Sequence, residues 1–364
     1  MARNLHVVAR LVQVFGLRLR FLWLLGFRLS LTFFSWMTLG LDRLLFPGHA
    51  RQALERPLFL VGHLRSGTTF LHRYLAGLLP EHRSMVLWEM VFPALSARAL
   101  LRPFLPLMKK VSFGKVWDPA IHETGFFEPE TDDIALSMRY FDGLLSWIYF
   151  HSWQEYPSDE AFAAALVRTV EQDHFVDYLH GVYRRNVHGT KQTMFSKSFC
   201  LLFNLETVRR RFPGARFLLM VRDPVEAVVS MLSLERSVQR RMNDIDHQPA
   251  ALRARYYRNL YRTSLAYYRR FCEEAARQSE DALVVEYPDL FRDFEGTLVR
   301  AAKLAGVEPT PQLLEGIRAQ AARQGGFASA HKYTPEEFGL TAEQIRSDFA
   351  FVYLQFPRLA GGGA

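Results

Sequence analysis

The stretch "FLVGHLRSGTTFLHRYL", residues 59–75, decides how this chain is read. The apolar run "PLFLV" (57–61) is bounded by Pro57 and Gly62, the pattern of a short buried strand. From Gly67 onward Phe70, Leu71, Tyr74, Leu75, Leu78 and Leu79 recur at helical spacing, until Pro80 stops the run. Between strand and helix lies a turn holding Gly62, Arg65, Ser66, Gly67, Thr68 and Thr69. The backbone N–H groups of 62–69 and the helix N-terminus make such a turn an anion cradle, whatever the ligand. The lysine of the nucleotide-hydrolase loop, G-x-x-x-x-G-K-[ST], is missing. Thr68 and Thr69 stand in its last two places, and Arg65 supplies the positive charge. A tight strand-to-helix turn with no ligand would carry the same two glycines, so spacing alone leaves the chemistry open.

Outward from this point the pattern repeats. "TMFSK" (193–197), "ARFLLMV" (215–221) and "ALVVEY" (282–287) read as further strands. Helices are expected over 159–185, from Leu201 to Arg211, after "RDP" with Pro224 in the first turn, over 251–279, and after "ALVVEY" to just before Gly306. Strands alternating with helices predict an α/β fold with a parallel, P-loop-like sheet flanked by helices. Residues 91–155, rich in Pro, Trp, Phe and acidic side chains, suit an insertion of loops and helices forming a pocket. The turn-rich "FPGHA" (46–50) divides a basic apolar arm, residues 1–50, from a domain of residues 51–357.

The charge distribution narrows the function. The net charge is +8, and residues 1–56 hold eight arginines, no lysine and only Asp42 and Glu55 as acids. The rest of the chain is nearly neutral, which argues against a general nucleic-acid binder. Two cysteines, Cys200 and Cys272, and no N-x-[ST] sequon point to a reducing, cytoplasmic compartment. Residues 21–41, "FLWLLGFRLSLTFFSWMTLGL", match a membrane span in length but carry Arg28 near the middle. A central arginine costs about 3 kcal/mol on insertion scales. Three readings stay open: an apolar element docked on the domain, an interfacial anchor on anionic lipid making peripheral membrane contact, and a true span.

The full string "GHLRSGTTFLHRYL" resembles the 5′-phosphosulfate loop of PAPS-dependent sulfotransferases, in their broad, largely bacterial branch. PAPS is 3′-phosphoadenosine 5′-phosphosulfate. In that family a strand ends in Arg and a Ser follows eight residues later. Here "FPGARFLLMVRDPVEAVVSML" places Arg222 and Ser230 at that spacing. A guanidinium fork at a strand end and a hydroxyl two turns into the next helix can converge on one phosphate. Arg222 beside Asp223 would otherwise read as a local ion pair. The resemblance extends over most of residues 57–350. It implies that Arg65, Ser66, Gly67, Thr68 and Thr69 hold the 5′-phosphosulfate, and that Arg222 and Ser230 hold the 3′-phosphate. It implies further that Lys197 of "MFSKSF" reaches the sulfuryl group and that Tyr287 lies near the adenine. Ser329, His331 and Lys332 of "SAHKYTPEEFGLT" would complete the 3′-phosphate site; the R-K-G stretch of cytosolic relatives is not found.

The implied reaction moves the sulfuryl group of PAPS to a hydroxyl or amine of a small-molecule, lipid or carbohydrate acceptor. A sulfuryl group carries less charge than a phosphoryl group, so no metal and no loop lysine are expected. Phe199 occupies the position of the histidine that follows the lysine in cytosolic relatives, which moves the general base elsewhere. Its candidates lie in "DPAIHETGFFEPETDDIAL" (118–136): His122, Glu130, and beside them Glu128, Asp132 and Asp133. Two alternatives remain, an ATP-dependent P-loop kinase and a non-catalytic, membrane-associated nucleotide-binding relic of the fold. The aromatic stretch 141–156, "FDGLLSWIYFHSWQEY", suits either an apolar acceptor pocket or ordinary core packing. Oligomeric state is not legible.

Overall fold

In the computed structural model, which describes residues 2–109, 125–324 and 334–361, five short strands form one sheet. They are β1 (Leu58–Gly62), β2 (His82–Arg83), β3 (Thr193–Lys197), β4 (Arg216–Val221) and β5 (Ala282–Glu286). The order across the sheet is β2-β3-β1-β4-β5, and every pairing is parallel. Leu60 of the central strand sits opposite Lys197 on one side and Leu218 on the other.

Every residue of β1 is buried, as both faces of a parallel sheet must be when helices cover them. The pleat sends Phe59, Val61, Phe217, Leu219 and Val221 into one core and Leu58, Leu60, Leu218 and Met220 into the other. The helix that follows β1, α3 (Thr68–Leu78), closes the second core with Leu71 and Leu75, together with helix Phe294–Leu304. Helices Asp173–Asn186 and Ala250–Ala275 lie against the first. The expected α/β architecture, a parallel sheet flanked by helices, is what the chain adopts.

Two local expectations change, and one open alternative is decided. The single helix over 159–185 is two helices, Asp159–Val170 and Asp173–Asn186. Asn204, distant in sequence, caps the break: its Oδ1 accepts from Gln172 N at 2.9 Å and its Nδ2 donates to Val170 O at 2.7 Å. The helix expected from Leu201 opens as a 3₁₀ turn, Cys200–Asn204, before the α-helix Leu205–Arg211. The aromatic stretch 141–156 is largely core. Trp147 and Trp153 are fully buried, and Trp147 Nε1 donates to Thr263 Oγ1 at 2.8 Å. Within it a π-helical turn, Trp147–His151, carries Ile148 to the wall of a small internal cavity shared with Leu144, His63 and Tyr267.

The first fifty residues form two helices, α1 (Ala2–Phe15) and α2 (Leu19–Leu45), followed by a 3₁₀ turn at Pro47–Arg51. α1 inserts Val7, Val8, Leu11 and Phe15 into the first core, where the Phe15 ring meets Trp153 edge-on at 4.9 Å. Among the described residues α2 is the one helix long and apolar enough to cross a membrane.

Candidate active site

The loop between β1 and α3 is shaped by its own hydrogen bonds. Ser66 donates twice to His63 O, from its N–H at 3.1 Å and its hydroxyl at 2.6 Å. Its hydroxyl is thereby spent on the turn, and the residue is fully buried. Arg65 and Gly67 take left-handed backbone angles, with φ of 67° and 92°. Gly67 is obligatory for two reasons: that φ disfavours a side chain, and a Cβ would lie 2.8 Å from the Tyr287 ring. Gly62 is equally confined, since a Cβ there would lie 2.6 Å from Met220 O. Behind the loop His63 is buried between Tyr267 and Tyr268, with Nδ1 donating to Leu64 O at 2.7 Å. Burial pushes its pKa down to about 4, so it is a neutral structural support.

In a parallel sheet all strands end on one side, and the strand order diverges to either side of β1 there. The expected ligand residues sit at those ends. Arg65 Nε donates to Ser230 Oγ at 3.1 Å, joining positions far apart in sequence. Arg222, just after β4, donates from Nη1 to Arg65 O at 3.0 Å, and its guanidinium lies 4.2 Å over the ring of Tyr287, just after β5. Its ion-pair partner is Glu226, at 2.7 Å, while Asp223 instead caps the next helix through Val225 N and accepts from Tyr353. Arg65, Arg222, Ser230 and Tyr287 thus form one cluster beside Gly67.

A second group lies on the other side of the loop. Lys197, the last residue of β3, is buried, and its Nζ donates to Thr69 Oγ1 at 3.2 Å. The same ammonium is 4.0 Å from Glu130 Oε2, and Arg73 Nη2 is 3.4 Å from Glu130 Oε1. Burial lowers the lysine pKa, and Glu130 opposes that shift. Lys197, Thr69, Glu130 and Arg73 therefore meet at the mouth of α3. The two neighbouring aspartates face elsewhere. Asp132 accepts from Ser196 Oγ at 2.6 Å and Tyr183 OH at 2.7 Å, and burial raises its pKa to about 7. Asp133 accepts the backbone N–H groups of Phe199 and Cys200 at 2.7 and 2.8 Å, holding the turn after β3.

His122, Ser329, His331 and Lys332 lie outside the described residues. Arg73 escaped the sequence reading, although its signal was present: it follows Thr69 by four residues on α3 and shares its face. Tyr268, whose hydroxyl donates to Arg222 O at 2.9 Å, lies in another helix and gave no signal. Among the described residues no group of three or more His, Cys, Asp or Glu side chains is arranged to hold a metal ion.

Residues 57–311 match the sequence model of the sulfotransferase family. The chain belongs to that family. Among solved structures it resembles the sulfotransferase STF1 from Mycobacterium tuberculosis, with a TM-score of 0.70 at 20% identity over 96% of this chain and 92% of that one. It also resembles the sulfotransferase STF9 from Mycobacterium avium, with a TM-score of 0.66 at 21% identity over 87% of this chain and 81% of that one. At such identities these likenesses bear on the fold, which is the sulfotransferase fold. No match to a curated protein was found.

Proposed function

We propose that the chain transfers the sulfuryl group of PAPS to a hydroxyl or amine on a small-molecule, lipid or carbohydrate acceptor. The observation that carries this reading is the convergence of Arg65, Arg222, Ser230 and Tyr287 beside a loop whose Gly67 leaves no room for a side chain. Arg65 and the N–H groups of Gly67, Thr68 and Thr69, with Ser66 shaping the turn, cradle the 5′-phosphosulfate. Arg222 and Ser230 bind the 3′-phosphate, and Tyr287 flanks the adenine. Ser329, His331 and Lys332 are assigned to the same phosphate by resemblance.

PAPS supplies an activated sulfuryl group with a phosphate as its leaving group. Lys197 and Thr69, 3.2 Å apart, meet the negative charge that grows on the bridging oxygen during transfer. Thr69 places its hydroxyl at the first turn of α3, where the helix dipole adds to that effect. Positioning does the remaining work, by aligning the acceptor oxygen, the sulfur and the leaving oxygen. The base that takes the acceptor proton is His122 or Glu130. No metal is invoked. The catalytic domain is residues 51–357, with residues 1–50 as its arm, in the cytoplasm and in peripheral contact with a membrane through residues 21–41.

Thermal unfolding tests the nucleotide assignment. 3′,5′-ADP, the product left by PAPS, is expected to raise the melting temperature, whereas ATP with Mg²⁺ is not. A shift with ATP alone refutes the assignment and favours the kinase alternative. Transfer of labelled sulfate from PAPS into an extract of the source organism then identifies the acceptor, and its absence favours the non-catalytic one.

A further inference from the structure

α2 is turned inside out. Its buried side carries Arg28, Ser35, Thr38 and Asp42, and its exposed side carries Trp23, Phe27, Phe33, Trp36, Met37 and Leu44. Trp23, Phe33 and Trp36 are 68%, 62% and 64% exposed, far more than residues of their kind are when a domain covers them.

The polar side is fastened along the length of the helix. Asp42 accepts from Leu95 N and Ser96 N at 3.0 and 2.8 Å and from Arg185 Nε at 2.7 Å. Ser96 Oγ donates to Thr38 O at 2.8 Å. Arg28 lies 4.7 Å over the Phe141 ring, and Arg20 Nη2 donates to Asn243 Oδ1 at 3.1 Å. From Arg20 to Asp42 these anchors span about 33 Å of helix. Crossing a membrane would strip them all and expose the buried Asp42 and Arg28 to hydrocarbon.

The outward strip is uncharged from Phe21 to Leu41, because Arg28 is the one charge in that stretch and it is turned inward. Both ends are basic, with Arg18 and Arg20 at one and Arg43 at the other, and the sole acid on α2, Asp42, is buried and paired. Helix Leu95–Leu101 packs on α2 and exposes Leu100, and the chain after it exposes Phe104 and Leu107 beside the basic Arg102 and Lys109. A second copy of the chain fits this face poorly. Antiparallel pairing would set Arg18 and Arg20 against Arg43, parallel pairing would set each against itself, and no acid on the helix is free to meet them. An apolar, Trp-bearing strip with arginines at its rim matches the boundary of an anionic bilayer.

We propose that the outer face of α2 docks flat on an anionic lipid bilayer, with the helix axis in the membrane plane and the domain held on one side. This rests on the peripheral contact proposed above and is read by binding alone, so its failure leaves the sulfuryl-transfer reading intact. The test floats the full-length protein with vesicles of phosphatidylcholine, alone or mixed with phosphatidylglycerol. Mixed vesicles should bind it, and raised salt should weaken binding. The double variant Trp23→Asp, Trp36→Asp should lose vesicle binding by on the order of a hundredfold, about tenfold per apolar contact, with an unchanged melting temperature. Spin labels on Trp23→Cys and Trp36→Cys, with Cys200 and Cys272 buried, should report equal shallow depths. A difference near 20 Å, the axial separation of thirteen helical residues, means a span and overturns the proposal. So does failure to bind mixed vesicles, or a lipid-free dimer that Trp36→Asp dissociates.

Discussion

Replacing Glu130 by glutamine tests the electrostatics on which the proposed transfer depends. The Lys197 side chain is 2% exposed and its ammonium lies 4.0 Å from Glu130 Oε2. Burial already lowers its pKa; Glu130 pulls the value back up, and Arg73 pushes it down. A unit-charge pair at that separation interacts by roughly 4 kcal/mol at an effective dielectric near 20, or about three pK units. Screening at the part-exposed side of Arg73 reduces this, and Glu130→Gln should lower the Lys197 pKa further. Glutamine keeps the shape and removes only the charge. In the proposed transfer the lysine acts as an ammonium, so activity should be lost as pH rises through its pKa. A lower pKa moves that alkaline limb to lower pH by the same interval. The assay is an NMR titration of the lysine Cε carbons, tractable because the chain has seven lysines and Lys197→Met assigns the signal. A loss of turnover at every pH would reflect Glu130 acting as the base, which the titration separates from its charge effect. Titration of Lys197 within about half a unit in both proteins would refute the reasoning.

Arg222→Ala should weaken 3′,5′-ADP binding by roughly 10- to 100-fold, and Ser230→Ala by less, in keeping with charged and neutral hydrogen bonds. 5′-AMP, which lacks the 3′-phosphate, should be almost indifferent to both in calorimetry, and equal losses for the two nucleotides would contradict the placement. Asp132→Asn retains an oxygen for Ser196 and Tyr183 and removes a carboxyl whose pKa rises from 3.8 to about 7 on folding. Between those values the folded state binds the extra proton, so this group's contribution to stability falls as pH rises. Denaturant unfolding should therefore show wild type losing about 1–3 kcal/mol relative to the variant across that window, and a constant difference would mean the carboxyl does not titrate there. His122→Ala should lower kcat by roughly 10²–10⁴ and leave 3′,5′-ADP affinity unchanged; normal turnover passes the role to Glu130.

Much of the scaffold was legible because a parallel sheet buries both faces of its strands. β1, β3, β4 and β5 therefore stand out as apolar runs ended by Gly, Lys, Arg and Tyr. β2 has two residues, too few for any period to register. That the candidate site residues would lie together was legible for a related reason. A sheet with all strands parallel delivers Gly62, Lys197, Arg222 and Tyr287 to one edge, so motifs at strand ends already imply proximity. Their particular pairings were not legible. Arg222 stands next to Asp223 in sequence yet pairs with Glu226, because Asp223 is drawn to the N–H groups of the helix it caps. Asp132 and Asp133 read as acidic residues of a catalytic run, and the hydroxyls of Ser196 and Tyr183 and the backbone N–H groups of Phe199 and Cys200 engage them as acceptors.

The arm shows where local information ends. Its length, its apolar character and the 3.6-residue period that puts Arg28, Ser35, Thr38 and Asp42 on one stripe are properties of the sequence alone. The usual preference would turn such a stripe toward water. Which way it turns was decided by groups far along the chain: Arg185, the N–H groups of Leu95 and Ser96, and the ring of Phe141, which together offer a paired environment for the acid and a face for the guanidinium. Periodicity specifies a stripe and carries no sign. The sign comes from long-range partners, because a buried charge is tolerated only where tertiary structure brings its counter-charge and hydrogen-bond donors within reach.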